Sequence, residues 1–321
     1  MKLRLTCVTA IIYWLFSFTA SAATLPGIPE FIDEMVAKHQ FKRDELETLF
    51  ARAQHRPAII EAINRPATIK PWVEYRAAFV NQKRITLGVA YWNKYHETLH
   101  RASQQYGVPE EIIVAIIGVE TIYGQNAGNF RAIDALTTLA FDYPRRAEFF
   151  RSELENYLLL ARDQEFNLLA IRSSYAGALG IPQFMPSSYR KYAVDFNGNH
   201  TIDLLHEDRD AIGSVANYMK EYGWRAGEPV AVLAKIGDTC AGDIQTPRSL
   251  TDWASTGIAP TRNLTYDKPV RLMDFTVADG KEFWLALHNF DVITKYNNSD
   301  FYAMSVLQLA EAIKAARHVN R

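Results

Sequence analysis

Residues 109–124 read PEEIIVAIIGVETIYG. Proline at the opening, acids at Glu110 and Glu111 in the first turn, and glycine at 124 are the start and stop marks of a helix. Between those marks the segment is apolar almost all round, so the helix is buried on most of its faces. After the opening turn it carries a single ionisable side chain, Glu120. Burial disfavours a carboxylate, and the last turn of a helix is the negative end of its dipole. Both effects favour a protonated carboxyl near neutral pH, which is what a general acid needs. Two plainer uses stand beside that one: a salt bridge to an arginine such as Arg131, or projection into solvent.

Outward from this helix the pattern stays helical from Ile28 to about Arg225. Residues 88–106 and 146–162 place apolar groups at helical spacing, and residues 300–316 predict a closing helix. After Gly227 the composition shifts. Residues 229–236 (PVAVLAKI) and 269–277 (PVRLMDFTV) are β-rich, and residues 283–287 and 290–294 flank His288-Asn289 as a hairpin would. The fold class is mainly α (α+β). The expected division is a leader at 1–22, an N-terminal helical region at 23–85 and a helical core at 86–227. A small β-rich insertion at 228–280 and a C-terminal hairpin and helix at 281–321 complete it.

Glycosidases commonly set two carboxylates across the bond they break. The next acids after Glu120 are Asp134, in AIDALTTLAF, and Asp142. A helix cap or a buried hydrogen-bonding role is the commoner use of an aspartate placed like Asp134. A mechanism with one carboxyl must then take its nucleophile from elsewhere, for example from the substrate. The stretch 173–189, SSYAGALGIPQFMPSSY, is a constrained turn rich in glycine and proline that presents Ser174, Tyr175, Gln183, Phe184 and Tyr189. Amides, hydroxyls and aromatic faces suit a carbohydrate better than a charged ligand.

The chain has 321 residues, 48% hydrophobic and 22% charged, which excludes a mostly disordered protein. Thirty-five Lys and Arg against 36 Asp and Glu give a net charge of -1, without the basic excess of a nucleic-acid binder. Lys2 and Arg4, an apolar run to about Ala20 and the small residues Ala20-Ser21-Ala22 read as a cleavable secretory leader. Cys7 lies at the front of the apolar run, out of position for a lipoprotein signal. Cleavage would leave Cys240 as the one cysteine, excluding an internal disulfide. The expected setting is outside the cytoplasm, in the periplasm.

IIGVETIYG followed by AGALGIPQFMPSSY resembles the lytic murein transglycosylase B family of bacterial cell-wall turnover. YPRRAEFF (143–150), DAIGSVANYMKEYGW (210–224) and VITKYNNSDFYAMSVLQLAEAI (292–313) extend the likeness over residues 27–315. The resemblance implies a lysozyme-like helical core with an N-terminal helical domain and an inserted β-domain. It implies that Glu120 acts first as acid and then as base, cleaving the bond between N-acetylmuramic acid and N-acetylglucosamine without water and leaving a 1,6-anhydro end. Tyr75, Ser174, Gln183, Tyr218, Tyr296 and Asn297 match family positions lining the sugar cleft or the acid. Arg145 and Arg146 match a basic pair suited to the lactyl-peptide carboxylate, and Phe149 stands where the family pattern has tyrosine. The implied partner is the peptidoglycan glycan strand, with enzymes of wall synthesis as further candidates, no nucleic acid, and a monomer as the default state. A hydrolytic muramidase and a non-catalytic peptidoglycan-binding scaffold are the competing readings.

Residues 195–206 carry oxygen donors in alternation at Asp195, Asn197, Asn199, Thr201 and Asp203, as in an EF-hand loop. His200 and His206 replace the usual glycine and closing glutamate, leaving Glu207 or Asp210 to close the set. The resemblance implies calcium at Asp195, Asn197, Asn199 and Thr201 with Asp210 as the distant ligand. The alternative is a loop of Asx-turns that needs no ion. Either way the role is structural, and no cofactor is expected for the chemistry.

Overall fold

A computed structural model describes residues 25–65, 70–237 and 246–319 of the chain. The expected leader, with Cys7, and Cys240 lie outside the described residues. Six helices lead to the apolar segment: α1 (Ile28–His39), α2 (Arg43–Arg52), α3 (Pro57–Asn64), α4 (Trp72–Phe79), α5 (Gln82–Lys94) and α6 (His96–Tyr106). The continuous helix expected over 88–106 is thus two. It breaks at Tyr95, where the backbone leaves helical geometry (φ -112°, ψ 24°) while the hydroxyl donates to Asp208 Oδ2 at 2.5 Å.

Helix α7 (Glu110–Thr121) buries every residue from Ile112 to Val119, so it forms the axis of the main core. Each fully buried Ile among them contributes roughly 1.5–3 kcal/mol relative to exposure. It stops two residues earlier than its glycine signal, because Ile122 (φ 54°) and Tyr123 (φ 60°) turn left-handed ahead of Gly124 (φ 82°). A left-handed non-glycine residue costs about 1–2 kcal/mol, so packing must hold this turn in place.

A two-residue strand β1 (Phe130–Arg131) leads into α8 (Ala132–Asp142), and α9 (Ala147–Asp163) returns against α8. Strand β2 (Arg172–Ser173) pairs antiparallel with β1. Helices α10 (Pro186–Tyr192) and α11 (Asp208–Glu221) close the helical body. Then come β3 (Ala231–Ile236), α12 (Leu250–Ser255), β4 (Ile258–Pro260), β5 (Arg271–Val277) and β6 (Gly280–Ala286), with the antiparallel order β4-β3-β6-β5. This sheet covers its own small core of Val232, Trp253, Ile258, Val270 and Leu285, while Met273 and Phe275 on β5 join the main core.

The hairpin expected across His288-Asn289 is not formed. Phe283 to Ala286 belong to β6, which pairs with β5 and β3, and α13 (His288–Ile293) follows as a helix. Asn289 is fully buried and ties α13 to the segment before the sheet, accepting from Arg225 N at 2.9 Å and donating to the Arg225 and Glu228 carbonyls. Helix α14 (Asp300–Val319) ends the chain and packs on α5 and α7. No helix among the described residues is long and apolar enough to cross a membrane.

Candidate active site

One tyrosine hydroxyl meets the Glu120 carboxyl, and three further tyrosines from distant parts of the chain lie within reach of its charge. Tyr302, from the first turn of α14, donates its hydroxyl to Glu120 Oε1 at 2.5 Å. The Glu120 charge also acts on Tyr75 of α4, Tyr218 of α11 and Tyr296 after α13, raising the pKa of each alongside the larger effect of burial. Tyr218 and Tyr296 lie with ring centroids 4.9 Å apart, and Tyr296 stacks on Tyr302 at 6.4 Å. Their hydroxyls point to main-chain carbonyls, Tyr218 to Lys295 at 2.7 Å and Tyr296 to Pro182 at 2.5 Å. Burial pushes the Glu120 carboxyl up to about 7, against the Tyr302 hydrogen bond, which pulls it down. Near neutral pH the group therefore exists in both protonation states.

The plainer salt bridge to Arg131 does not form, and Glu120 itself is half-buried. Arg131 pairs instead with Asp134, at 2.7 Å from Nη2 to Oδ1. Asp134 is buried, accepts from Gln54 N at 2.9 Å and also meets Arg56 Nε at 3.5 Å. Asp142 pairs with His55 at 2.8 Å. Both aspartates thus join the link between α2 and α3 to α8, leaving Glu120 without a carboxylate neighbour among these acids.

The constrained turn lies against the end of α7. Thr121 Oγ1 donates to Ile181 O at 2.8 Å and accepts from Gly124 N at 2.9 Å, tying the helix end to the turn. Gly180, at φ 68°, passes so close to the chain that a Cβ would sit 2.1 Å from Leu204 O. Gln183 takes φ 53° and donates through Nε2 to Gly180 O at 2.9 Å and Ala127 O at 3.1 Å. Ser174 Oγ accepts from Ala178 N at 3.1 Å. Phe184, next to Gln183, packs on Tyr218 at 5.4 Å and on Tyr296 at 5.8 Å, so the turn borders the tyrosine cage. Asn297 follows Tyr296 and is exposed.

Arg145, Arg146 and Phe149 sit in the elbow between α8 and α9. There the Arg146 guanidinium lies 4.1 Å over the Phe149 ring, and all three side chains are exposed. Tyr302, which bonds Glu120, and Thr121, which ties the end of its helix to the turn, were missed by sequence reading. A hydroxyl on the buried face of α14, and one directly beside the acid, were the available signals.

A separate concavity of about 620 Å³ lies between α6, the start of α7 and the end of α14. Its charged walls are engaged with one another, Lys314 with Glu111 at 2.7 Å and Trp92 Nε1 with Glu110 at 2.6 Å, which leaves it no chemistry comparable to that around Glu120.

In the 195–206 loop, Asp195 accepts the N–H groups of Gly198, Asn199 and His200 at 2.7, 3.1 and 2.7 Å. Asn197 and Asn199 accept from Asn199 N and Thr201 N, both at 2.9 Å. Asp210 is fully buried and accepts from Phe196, Asn197 and Asp203 N–H groups. Oxygen donors of this kind fit a hard cation. Only two of the five expected donors are carboxylates, and both already take three amides each. Among the described residues no group of three or more His, Cys, Asp or Glu side chains is arranged to hold a metal ion.

Known proteins resemble this chain over most of its length. The membrane-bound lytic murein transglycosylase B of Escherichia coli K12 is 43% identical over 306 residues, 92% of this chain and 84% of that protein. The crystal structure of the soluble lytic transglycosylase SltB1 of Pseudomonas aeruginosa is 48% identical and superposes with a TM-score of 0.85, covering 91% of this chain and all of that one. The Escherichia coli lytic transglycosylase Slt35, solved in complex with calcium, is 43% identical with a TM-score of 0.87, over 92% of this chain and 95% of that one. The mainly α architecture with a small antiparallel sheet is the lysozyme-like fold of these transglycosylases. Residues 24–311 match the Transglycosylase SLT domain, and the chain belongs to that family.

Proposed function

We propose that this protein is a lytic murein transglycosylase that breaks the β-1,4 bond between N-acetylmuramic acid and N-acetylglucosamine, with Glu120 as acid and then base. The observation that carries the reading is a lone carboxyl held near pKa 7 inside a tyrosine cage, while Asp134 and Asp142 are engaged elsewhere. Protonated Glu120 gives its proton to the bridging oxygen as the C1–O bond breaks, and the substrate's N-acetyl group stabilises the cation. The resulting carboxylate takes the proton of the muramoyl C6 hydroxyl as O6 bonds to C1, closing the 1,6-anhydro ring. Glu120 ends protonated, ready for the next cycle, and water is not consumed.

In this reading Tyr75, Ser174, Gln183, Tyr218, Tyr296 and Asn297 line the sugar cleft. Arg145 and Arg146 meet the lactyl-peptide carboxylate, with Phe149 as a stacking surface beside them. A calcium ion at Asp195, Asn197, Asn199, Thr201 and Asp210 would brace the loop and take no part in the chemistry. The protein would act in the periplasm after losing residues 1–22. The units 23–85, 86–227 and 228–280 would serve as helical flank, catalytic core and β-insertion, with 281–321 completing the cleft. Alliance with wall-synthesis enzymes is compatible with this placement.

Mass spectrometry of purified peptidoglycan digested with the mature protein tests the reading, with Glu120→Gln alongside. Products one water lighter than hydrolytic ones, absent with the variant, are expected. Reducing-end products would make the protein a muramidase, and intact strands with retained binding would make it a scaffold.

A further inference from the structure

We propose that Arg84 and Tyr123 form a clasp that positions the C-terminal turn of α7, and with it Glu120, for proton transfer. The inference rests on Glu120 being the acid. Tyr123 lies three residues beyond Glu120, in the left-handed turn that ends the helix. Its ring returns under the helix and seats between two glycines. A Cβ on Gly118 of α7 would stand 2.4 Å from the Tyr123 hydroxyl oxygen and 2.6 Å from Cζ. One on Gly88 of α5 would stand 2.5 Å from the same hydroxyl. Any larger residue at Gly118 would have to displace the ring, and one at Gly88 would meet both the ring's hydroxyl and Ile313. Tyr91 of α5 closes the pocket, with ring centroids 5.3 Å apart.

The polar contacts run in both directions between the same two residues' neighbourhoods. The Tyr123 hydroxyl donates to the Arg84 carbonyl at 2.9 Å. The Arg84 side chain donates through Nε to the Gly118 carbonyl at 3.1 Å, and its Nη1 donates to Ala78 O. Gly118 O also accepts from Ile122 N at 3.2 Å, and Ile117 O accepts from Tyr123 N at 3.3 Å. A helix leaves its last carbonyls without intrahelical donors. Here they are met by the turned-back chain and by a guanidinium from α5. Glu120 sits between Gly118 and Tyr123, so the two ends of its own turn are both gripped by α5.

Acting first on the bridging oxygen and then on O6 requires the carboxyl to reach two positions from one fixed backbone. Misplacement of a catalytic group by about 1 Å can cost roughly a hundredfold, so a smaller displacement should cost about tenfold. Arg84 and Tyr123 touch neither the carboxyl nor, in this reading, the glycan; they act as positioning residues.

The test measures kcat and KM of the mature protein on purified peptidoglycan, by release of anhydro ends, for Tyr123→Phe, Arg84→Met and the double variant. Thermal midpoints are recorded alongside, and Glu120→Gln is the control. Each single variant should lose about tenfold in kcat with KM within twofold, and the double variant should be no worse than either single one, because the clasp fails as one unit. Gly118→Ala, which displaces the ring itself, should lose more kcat than Tyr123→Phe, again without a matching change in KM. Wild-type kcat with a lowered thermal midpoint would reduce the pair to a structural prop and overturn the proposal. So would losses that multiply in the double variant, or a rise in KM alone. Turnover by Glu120→Gln would instead remove the assignment on which the clasp rests, and is told apart by that control.

Discussion

Replacing Tyr302 by Phe should move the basic limb of the activity profile toward higher pH. Two opposing effects set the Glu120 carboxyl: burial raises it, and the 2.5 Å hydrogen bond from Tyr302 lowers it, leaving it at about 7. The substitution removes one hydroxyl and keeps the ring, so the apolar enclosure persists while the donor to the carboxylate is gone. A hydrogen bond to a charged group is worth about 1.5–3 kcal/mol, and one pKa unit is about 1.4 kcal/mol. The carboxyl should therefore rise by about one to two units. The acid step needs the protonated form, which is present below the pKa and lost above it, so the descending limb of kcat/KM should move up by the same amount. At pH 6 wild-type Glu120 is already about nine-tenths protonated. There the variant gains little as an acid and loses the donor that orients the carboxylate for the base step. We expect kcat to fall about tenfold at that pH. The assay is release of anhydro ends from peptide-free glycan between pH 5 and 10, with thermal midpoints at each pH to separate titration from unfolding. A limb that stays at the wild-type pH, or moves down, would refute the reasoning, since either means that Tyr302 does not stabilise the charged form.

Glu120 also carries a stability signature. Its folded pKa of about 7 lies above the ordinary glutamate value of 4.5, so between those values the folded state holds a proton that the unfolded chain releases, and stability falls as pH rises through that window. Glu120→Gln should accordingly be more stable than wild type by up to about 3 kcal/mol at pH 8 and by under about 1 kcal/mol at pH 5, read from urea unfolding; an equal gain at both would exclude a raised pKa. Asp134→Ala should cost about 1–3 kcal/mol, because it removes the acceptor of the Gln54 amide and the partner of the half-buried Arg131, yet leave kcat unchanged under folded conditions. Loss of turnover in fully folded Asp134→Ala would restore it as a second catalytic carboxylate. Calcium at ten times a dissociation constant of about 10⁻³ M should add about 1.4 kcal/mol, a rise of roughly 3 °C in melting temperature, with kcat unaffected by chelator. A chelator that abolished turnover would contradict a bracing role.

The axis of the fold was legible because α7 depends on local rules: a proline-acid opening and apolar residues on every face. The same uniformity made Glu120 conspicuous. Tyr302 was not legible, since its meeting with Glu120 spans 182 residues and depends on how α14 packs on α7. The break at Tyr95 was hidden too, because apolar spacing runs through both α5 and α6 and the change of backbone angles at one residue leaves no mark in it. Residues 288–293, HNFDVI, misled because aromatic and β-branched groups favour strands in isolation. Buried Asn289, which satisfies two carbonyls and one amide of the neighbouring segment, outweighs that preference.

The proposed acid-then-base role near neutral pH calls for an enclosure without a cation, and Arg131 and Arg84 are turned to other uses. Arg131 is neutralised by Asp134, and Arg84 directs its donors to the carbonyls of Gly118 and Ala78. The cage itself is neutral: tyrosine hydroxyls pushed well above their ordinary range cannot ionise beside the carboxylate. Two of these hydroxyls, on Tyr218 and Tyr296, point away to main-chain carbonyls, so they contribute ring surface and rigidity while Tyr302 supplies the hydrogen bond. Had a second hydroxyl or a guanidinium turned inward, the carboxylate would be stabilised further and the acid lost at neutral pH. On the proposed mechanism, the balance of one donor against an aromatic wall is what would let a single glutamate serve both proton transfers, while Asp134 and Asp142 are engaged with the N-terminal region.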